Sequence, residues 1–85
     1  METYIGSIQH FAFNFTPYQF LPCNGALLPI DRNQALYSLL GTQYGGNGTT
    51  HFAVPDLRGK SPLDKSATDC HYHICVSGIY PARPA

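Results

Sequence analysis

The side chains best equipped for chemistry in this 85-residue chain stand together in the run CHYHIC, Cys70 to Cys75. On an extended strand successive side chains leave opposite faces, so His71, His73 and Cys75 share one face while Cys70, Tyr72, Ile74 and Val76 share the other. Imidazole is a common metal ligand, and three such strands around a threefold axis would turn His71 and His73 of every copy toward one ion. Within one subunit, two histidines at a single i,i+2 spacing supply too few ligands. His71 and His73 are therefore candidate metal ligands only across subunits, and within a subunit they read as ordinary hydrogen-bonding histidines. No other cofactor is indicated, and His10 and His51 have no partner visible in the sequence.

The thiols offer a second chemistry. Cys23, Cys70 and Cys75 are an odd number with no C-x-x-C spacing, so one disulfide plus a free thiol and three buried thiols are both compatible with the sequence. A bridge from Cys23 to Cys70 or Cys75 would close a loop of about 50 residues, worth about 4 kcal/mol in the chain-entropy model. A nucleophilic cysteine needs a general base held by a third group, and no local signature supplies one. The acidic residues, Glu2, Asp31, Asp56, Asp64 and Asp69, offer neither paired carboxylates nor a Ser-His-Asp signature. The chain reads as a non-enzyme.

Such residues need a scaffold, and composition bounds it. Lys+Arg and Asp+Glu number 5 each with no basic cluster, which gives nucleic acid or an anionic membrane no reason to bind. With 44% apolar, 13% aromatic and only 12% charged residues, a domain this small is lean on charge, so neighbouring copies are expected to cover part of its surface. One domain, residues 1–85, fills the length. No apolar run approaches the about 20 residues of a membrane span, and METYIGSIQHF lacks the basic and apolar regions of a Sec signal.

Residue pattern predicts an α+β fold of short, mainly antiparallel strands with one helix and long ordered loops. Tyr4 to Phe15 is apolar on both parities and reads as a long strand buried on both faces. Phe20 to Leu28 reads as a tight hairpin, Asn24-Gly25 supplying the positive φ of a two-residue turn. A helix is predicted from about Asp31 to Leu40, with Asp31 and Gln34 as a capping box, Gly41 closing it, and Ala35, Leu36, Leu39 and Leu40 as its buried stripe. Cys70 to Tyr80 reads as the last strand, ended by Pro81 and Pro84. The expected core is Ile8, Phe11, Phe13, Leu21, Leu28, Leu36, Leu39, Leu40, Phe52, Leu57, Ile74, Val76 and Ile79, and the inter-subunit strands are expected at Tyr4 to Phe15 and Cys70 to Tyr80.

Two loops invite a ligand. Gly45, Gly46 and Gly48 lack the lysine and following helix of a phosphate cradle, so they read as a sharp bend that lets backbone approach backbone. Asp56 and Arg58, beside Pro55 and Gly59, read as a turn fixed by carboxylate-to-amide and guanidinium-to-carbonyl bonds.

Four ordered phrases carry a resemblance. They are Gly6, Ile8, Phe11, Ala12, Phe15 and Pro17; Cys23-Asn24-Gly25 with Leu28-Pro29-Ile30; Ala35-Leu36, Ser38 to Thr42, Tyr44 to Gly46 and Gly48; and Phe52 with Pro55 to Gly59. In these the chain resembles the phage tail-collar domain family, which includes the bacterial microcystin-dependent proteins, and HYHICVSGIYP looks like that family's last strand. Where relatives usually carry a long variable insertion before that strand, this chain has only Ser61 to Cys70, so nothing about the insertion transfers. At the positions of His71 and His73 the family usually has Asn and an apolar residue, although a six-histidine site resembling the proposed one is seen in some phage fibre tips.

The resemblance implies a structural or adhesive fibre module, extracellular or on a virion or tail-like particle. It would assemble as a homotrimer or polymer, with other fibre or tail proteins and cell-surface glycans as further partners. The alternative is a stand-alone subunit that self-assembles into an extracellular filament, suggested by the missing insertion and shaft, the low charge and the extended ends.

Overall fold

The computed structural model describes residues 3–13 and 15–81, and its first regular element is a strand of three residues, β1 (Ile8–His10). There follow β2 (Phe20–Pro22), β3 (Leu27–Pro29), a 3-10 turn (Ile30–Arg32), α1 (Gln34–Leu40), β4 (His51–Ala53) and β5 (Tyr72–Cys75). The strands make two small antiparallel sheets, ordered β1-β5-β2 and β3-β4. This is the expected α+β class, one helix among short antiparallel strands.

β5 is the central strand. Ile8 pairs with Ile74 on one side and Leu21 with Ile74 on the other, and His73, Ile74 and Cys75 are all nearly or fully excluded from solvent. Burial on both faces was expected of Tyr4 to Phe15 and belongs to β5 instead. Among the described residues, the N-terminal segment pairs as strand only over β1 and at a parallel bridge from Tyr4 to Ile79, with Ile8 and Phe13 exposed. Because both edges of β5 are filled by its own chain, it cannot serve as an inter-subunit strand by edge pairing. The tail expected through Pro84 lies outside the described residues beyond Pro81.

Phe20 to Leu28 is not a hairpin. The Asn24-Gly25 turn joins two strands of different sheets: β2 bonds to β5, while β3 bonds to β4 in the register Leu28 with Phe52. Non-local pairing overrides the local signal because β5 and β4 carry the buried Ile74 and Phe52 that β2 and β3 need as neighbours. The helix begins three residues later than expected. Ile30–Arg32 winds as 3-10, Asn33 breaks the path at φ −138°, and no side chain caps either segment, so the Asp31–Gln34 capping box does not form. Leu36 is fully buried, Leu39 and Leu40 partly, and Ala35 faces solvent.

One cluster joins all layers: Ile5, Cys23, Leu36, Phe52, Val54 and Ile74, with Leu21, Leu28, Leu57 and Val76 packed around it. The glycine loop after α1 folds back as expected. Ala53 N–H donates to the Gly45 carbonyl at 3.1 Å and Asn47 N–H to that of His51 at 3.2 Å, so the loop lies backbone to backbone on β4.

Candidate functional site

The short connection between Arg58 and β5 is built from two copies of one local device. In each, a serine is followed three residues later by aspartate, Ser61-Pro62-Leu63-Asp64 and Ser66-Ala67-Thr68-Asp69. Such spacing lets hydroxyl and carboxylate bond the intervening amides and close a turn. Ser61 N–H donates to Asp64 Oδ2 at 3.0 Å and Leu63 N–H to Ser61 Oγ at 3.0 Å. The second turn keeps the amide-to-serine bond, Thr68 N–H to Ser66 Oγ at 3.4 Å, but its aspartate accepts from the Ser66 hydroxyl at 3.3 Å and from the Lys65 amide at 2.9 Å.

This connection is riveted to the sheet by histidines. His10 Nε2 lies 2.6 Å from the buried Ser61 Oγ, and His71 Nδ1 lies 2.5 Å from Asp64 Oδ1. The imidazole N–H of His71 beside it, followed by the Ser61 amide, holds the Asp64 carboxyl below the usual carboxylate range. His73, just beyond, sits 3.3 Å from the His71 carbonyl with its ring edge-on to Phe11, and burial lowers its pKa. Ser61 and Asp64 were missed in the sequence because His10 and Ser61 are 51 residues apart. The serine-x-x-aspartate pattern itself was the available signal for the turns.

His71 and His73 are thus both interior and each already has a polar neighbour within its own chain. Among the described residues, no group of three or more His, Cys, Asp or Glu side chains is placed to hold a metal ion. Both contacts are made by Nδ1, and a shared ion between subunits would have to reach the Nε2 atoms of two largely buried rings. Cys23, Cys70 and Cys75 are free thiols, Cys23 and Cys75 buried and Cys70 half-buried. Burial, then the neighbouring Cys70, push the Cys23 thiol up to about 12. Asp56 accepts from Arg58 Nε at 2.9 Å, from Nη2 at 2.8 Å and from its backbone N–H at 3.3 Å. The turn is fixed as expected by carboxylate-to-amide bonding, but the guanidinium returns to the carboxylate and not to a carbonyl. These bonds hold Asp56 at about 2.

Above the rivets runs an aromatic ladder. Phe11 stacks on Phe13 at 5.0 Å and Phe13 on Phe15 at 4.2 Å between ring centres. Phe15 is 62% exposed and Tyr18, three residues on, 89%. Beside Phe13 a cleft of about 670 Å³ is lined by Leu63, Lys65, Thr68, Asp69 and His71. Sequence alone placed Phe11 and Phe13 in the core, since apolar type does not reveal which side of a small fold lacks a cover.

The model for the phage tail collar domain matches residues 6–62. The chain belongs to the phage tail collar family. No curated protein and no solved structure matches it. The match spans β1 to the Asp56–Arg58 turn and stops where the two serine-x-x-aspartate turns begin, so the collar phrases account for both sheet edges, the helix and the glycine loop. Membership makes the domain a structural module of a tail fibre, a non-enzymatic family associated with virion tails, tail or fibre proteins and oligomers. Among the described residues no helix is long and apolar enough to cross a membrane.

Proposed function

We propose that this collar domain works as a self-associating, adhesive module, extracellular or on a particle, in which copies meet through the aromatic ladder and cell-surface glycans bind at the neighbouring cleft. The observation that carries the reading is the uncovered ladder. Phe13 and Phe15 expose stacked aromatic area, with Tyr18 exposed three residues on, in a chain with no net charge to oppose association. The cleft supports the adhesive part, because Lys65, Thr68 and Asp69 set polar groups around the edge of Phe13, and apolar walls with a few convergent polar groups suit a sugar.

A second reading, a stand-alone filament, is favoured by a separate apolar area on the other sheet. Leu27 in β3 and Tyr44 beside the glycine loop are exposed, while the ladder lies in the connection from β1 to β2, strands of the other sheet. Two unlike patches on one subunit permit head-to-tail contact, which continues into a filament if it does not close into a ring.

Sedimentation analysis and negative-stain microscopy of wild type and of Phe15→Ser with Tyr18→Ser test both readings. Wild type should sediment as a trimer or larger and the double variant as a monomer with unchanged circular dichroism; a monomeric wild type at high concentration refutes the self-association. Discrete particles support the module, and long regular fibres support the filament. A glycan array blank across many surface polysaccharides would overturn the adhesive part alone.

A further inference from the structure

We propose that Cys23 and Cys70 form an intramolecular disulfide that clasps the connection between Arg58 and β5 to the end of β2, leaving Cys75 as the free thiol. The pleat decides between the two partners. β2 and β5 run antiparallel with Leu21 opposite Ile74 and Pro22 opposite His73, and Cys23 N–H continues the ladder to the Tyr72 carbonyl at 3.0 Å. Cys23 is therefore opposite Tyr72 and leaves the sheet on the Tyr72 face. Cys75, three residues further along β5, leaves on the other face and turns its thiol to the Ser77 carbonyl at 3.4 Å. Cys70, two residues before Tyr72, returns to the Cys23 side. Its thiol donates to the Cys23 carbonyl at 3.4 Å and to that of Tyr72 at 3.1 Å.

A diagonal pair in a regular ladder is separated by about 7–8 Å between Cα atoms, slightly beyond the ordinary disulfide range. Residue 70 lies outside β5, where regular ladder spacing no longer sets its distance from Cys23, and its thiol already reaches the Cys23 carbonyl. The chemistry balances with a low-molecular-weight disulfide as oxidant. The more accessible Cys70 thiolate attacks one sulfur of that disulfide and releases one thiol; the Cys23 thiolate then attacks Sγ of Cys70 in the mixed disulfide and releases the second. The two protein thiols lose two electrons, and the two released thiols carry away the two protons. Because the Cys23 thiol is held up to about 12, the second step is slow at neutral pH and accelerates with rising pH.

The test is non-reducing peptide mapping of the whole chain after equilibration in glutathione disulfide, with remaining thiols alkylated under acid quench. The expected product links the Cys23 and Cys70 peptides and is lighter by two hydrogens, and Cys75 is alkylated only after denaturation. The bridged form should melt about 10 °C or more above the reduced form. Cys75→Ala should keep the bridge, and Cys70→Ser should abolish it. A Cys23–Cys75 link, a Cys70–Cys70 link between copies, or reduced Cys23 and Cys70 in excess oxidant overturns the proposal, and the wild-type map decides this even if a variant fails to fold.

Discussion

Alanine at Gly46 should be among the most damaging single-methyl additions this fold can receive. A Cβ built there would stand 2.4 Å from the Phe52 Cα and 2.5 Å from the His51 carbonyl oxygen, at a backbone φ of +97°. Both obstacles are backbone of β4, so no rotamer change relieves them. Holding an L-residue at that φ costs about 1–3 kcal/mol. Relieving the clash also pushes the loop away from β4 and strains the bonds from Ala53 to Gly45 and from Asn47 to His51, each worth about 1 kcal/mol. The total is about 3–5 kcal/mol, a large share of the about 4–13 kcal/mol expected for a domain of this length.

Gly41→Ala is the matched control. Gly41 also has positive φ, +60°, but nothing lies within 4 Å of its built Cβ. Chemical denaturation of both variants and wild type at equal protein concentration, since association shifts apparent stability, should show a loss of about 1–3 kcal/mol for Gly41→Ala, whose φ of 60° and ψ of −144° also suit glycine best, and about 2 kcal/mol more for Gly46→Ala, which adds the strained bonds to β4. A melting temperature for Gly46→Ala about 12 °C or more below wild type would match. Equal stability of the two variants would refute the claim that the glycine loop is tied to β4 by backbone contact.

Acid should weaken the fold in two steps. His73 has its pKa lowered in the folded state from 6.5, so the unfolded chain binds the extra proton and stability falls as pH drops below 6.5. His73→Gln should flatten that part of a denaturation series from pH 8 to pH 5. Asp64, lowered from 3.8, contributes stability above that pH that is lost as pH falls through its folded value; Asp64→Asn should remove that acid dependence. For the exposed turn, carboxyl titration by NMR should find Asp56 near pH 2 in wild type and back near 3.8 in Arg58→Ala, with little change in overall stability. An Asp56 titration that does not move would refute the pairing.

How far the sequence reaches depends on whether a signal is local. The helix, the glycine loop and the Asp56–Arg58 turn were legible because each is decided by residues within a few positions of one another. The capping box failed although its spacing was right, because Asn33 breaks the path and its side chain bonds back to the Pro29 carbonyl at 3.0 Å. The hairpin failed because β2 and β3 have better partners far along the chain. Ile5, Phe20, Cys23 and Val54 were missed as core, and Ile8, Phe13 and Ile79 wrongly placed there. Residue type reports what a side chain prefers, and a small fold cannot bury every apolar group it carries. The polar rivets were the least legible part, since His10 and Ser61 meet only after β1, β5 and the connection are in place.

The way the strands end bears on how copies could join. Phe11 N–H donates to His71 and Cys75 N–H to the carbonyl of Ser7, so the odd residues of the β1 segment face β5. The outward edge of β1 therefore offers only the backbone groups of Ile8 and His10. Pro22 closes β2 and Pro29 closes β3, each without an amide to donate. Edges this short and interrupted are how proteins discourage strand addition. The proposed assembly must then come from side-chain burial at patches such as Phe13 and Phe15, and its dependence on conditions follows. Removing apolar area from water is hardly affected by ionic screening and weakens on cooling. Assemblies that persist in 1 M sodium chloride and loosen near 0 °C would bear this out, and assemblies dissolved by salt at constant temperature would place the contact in charged groups instead.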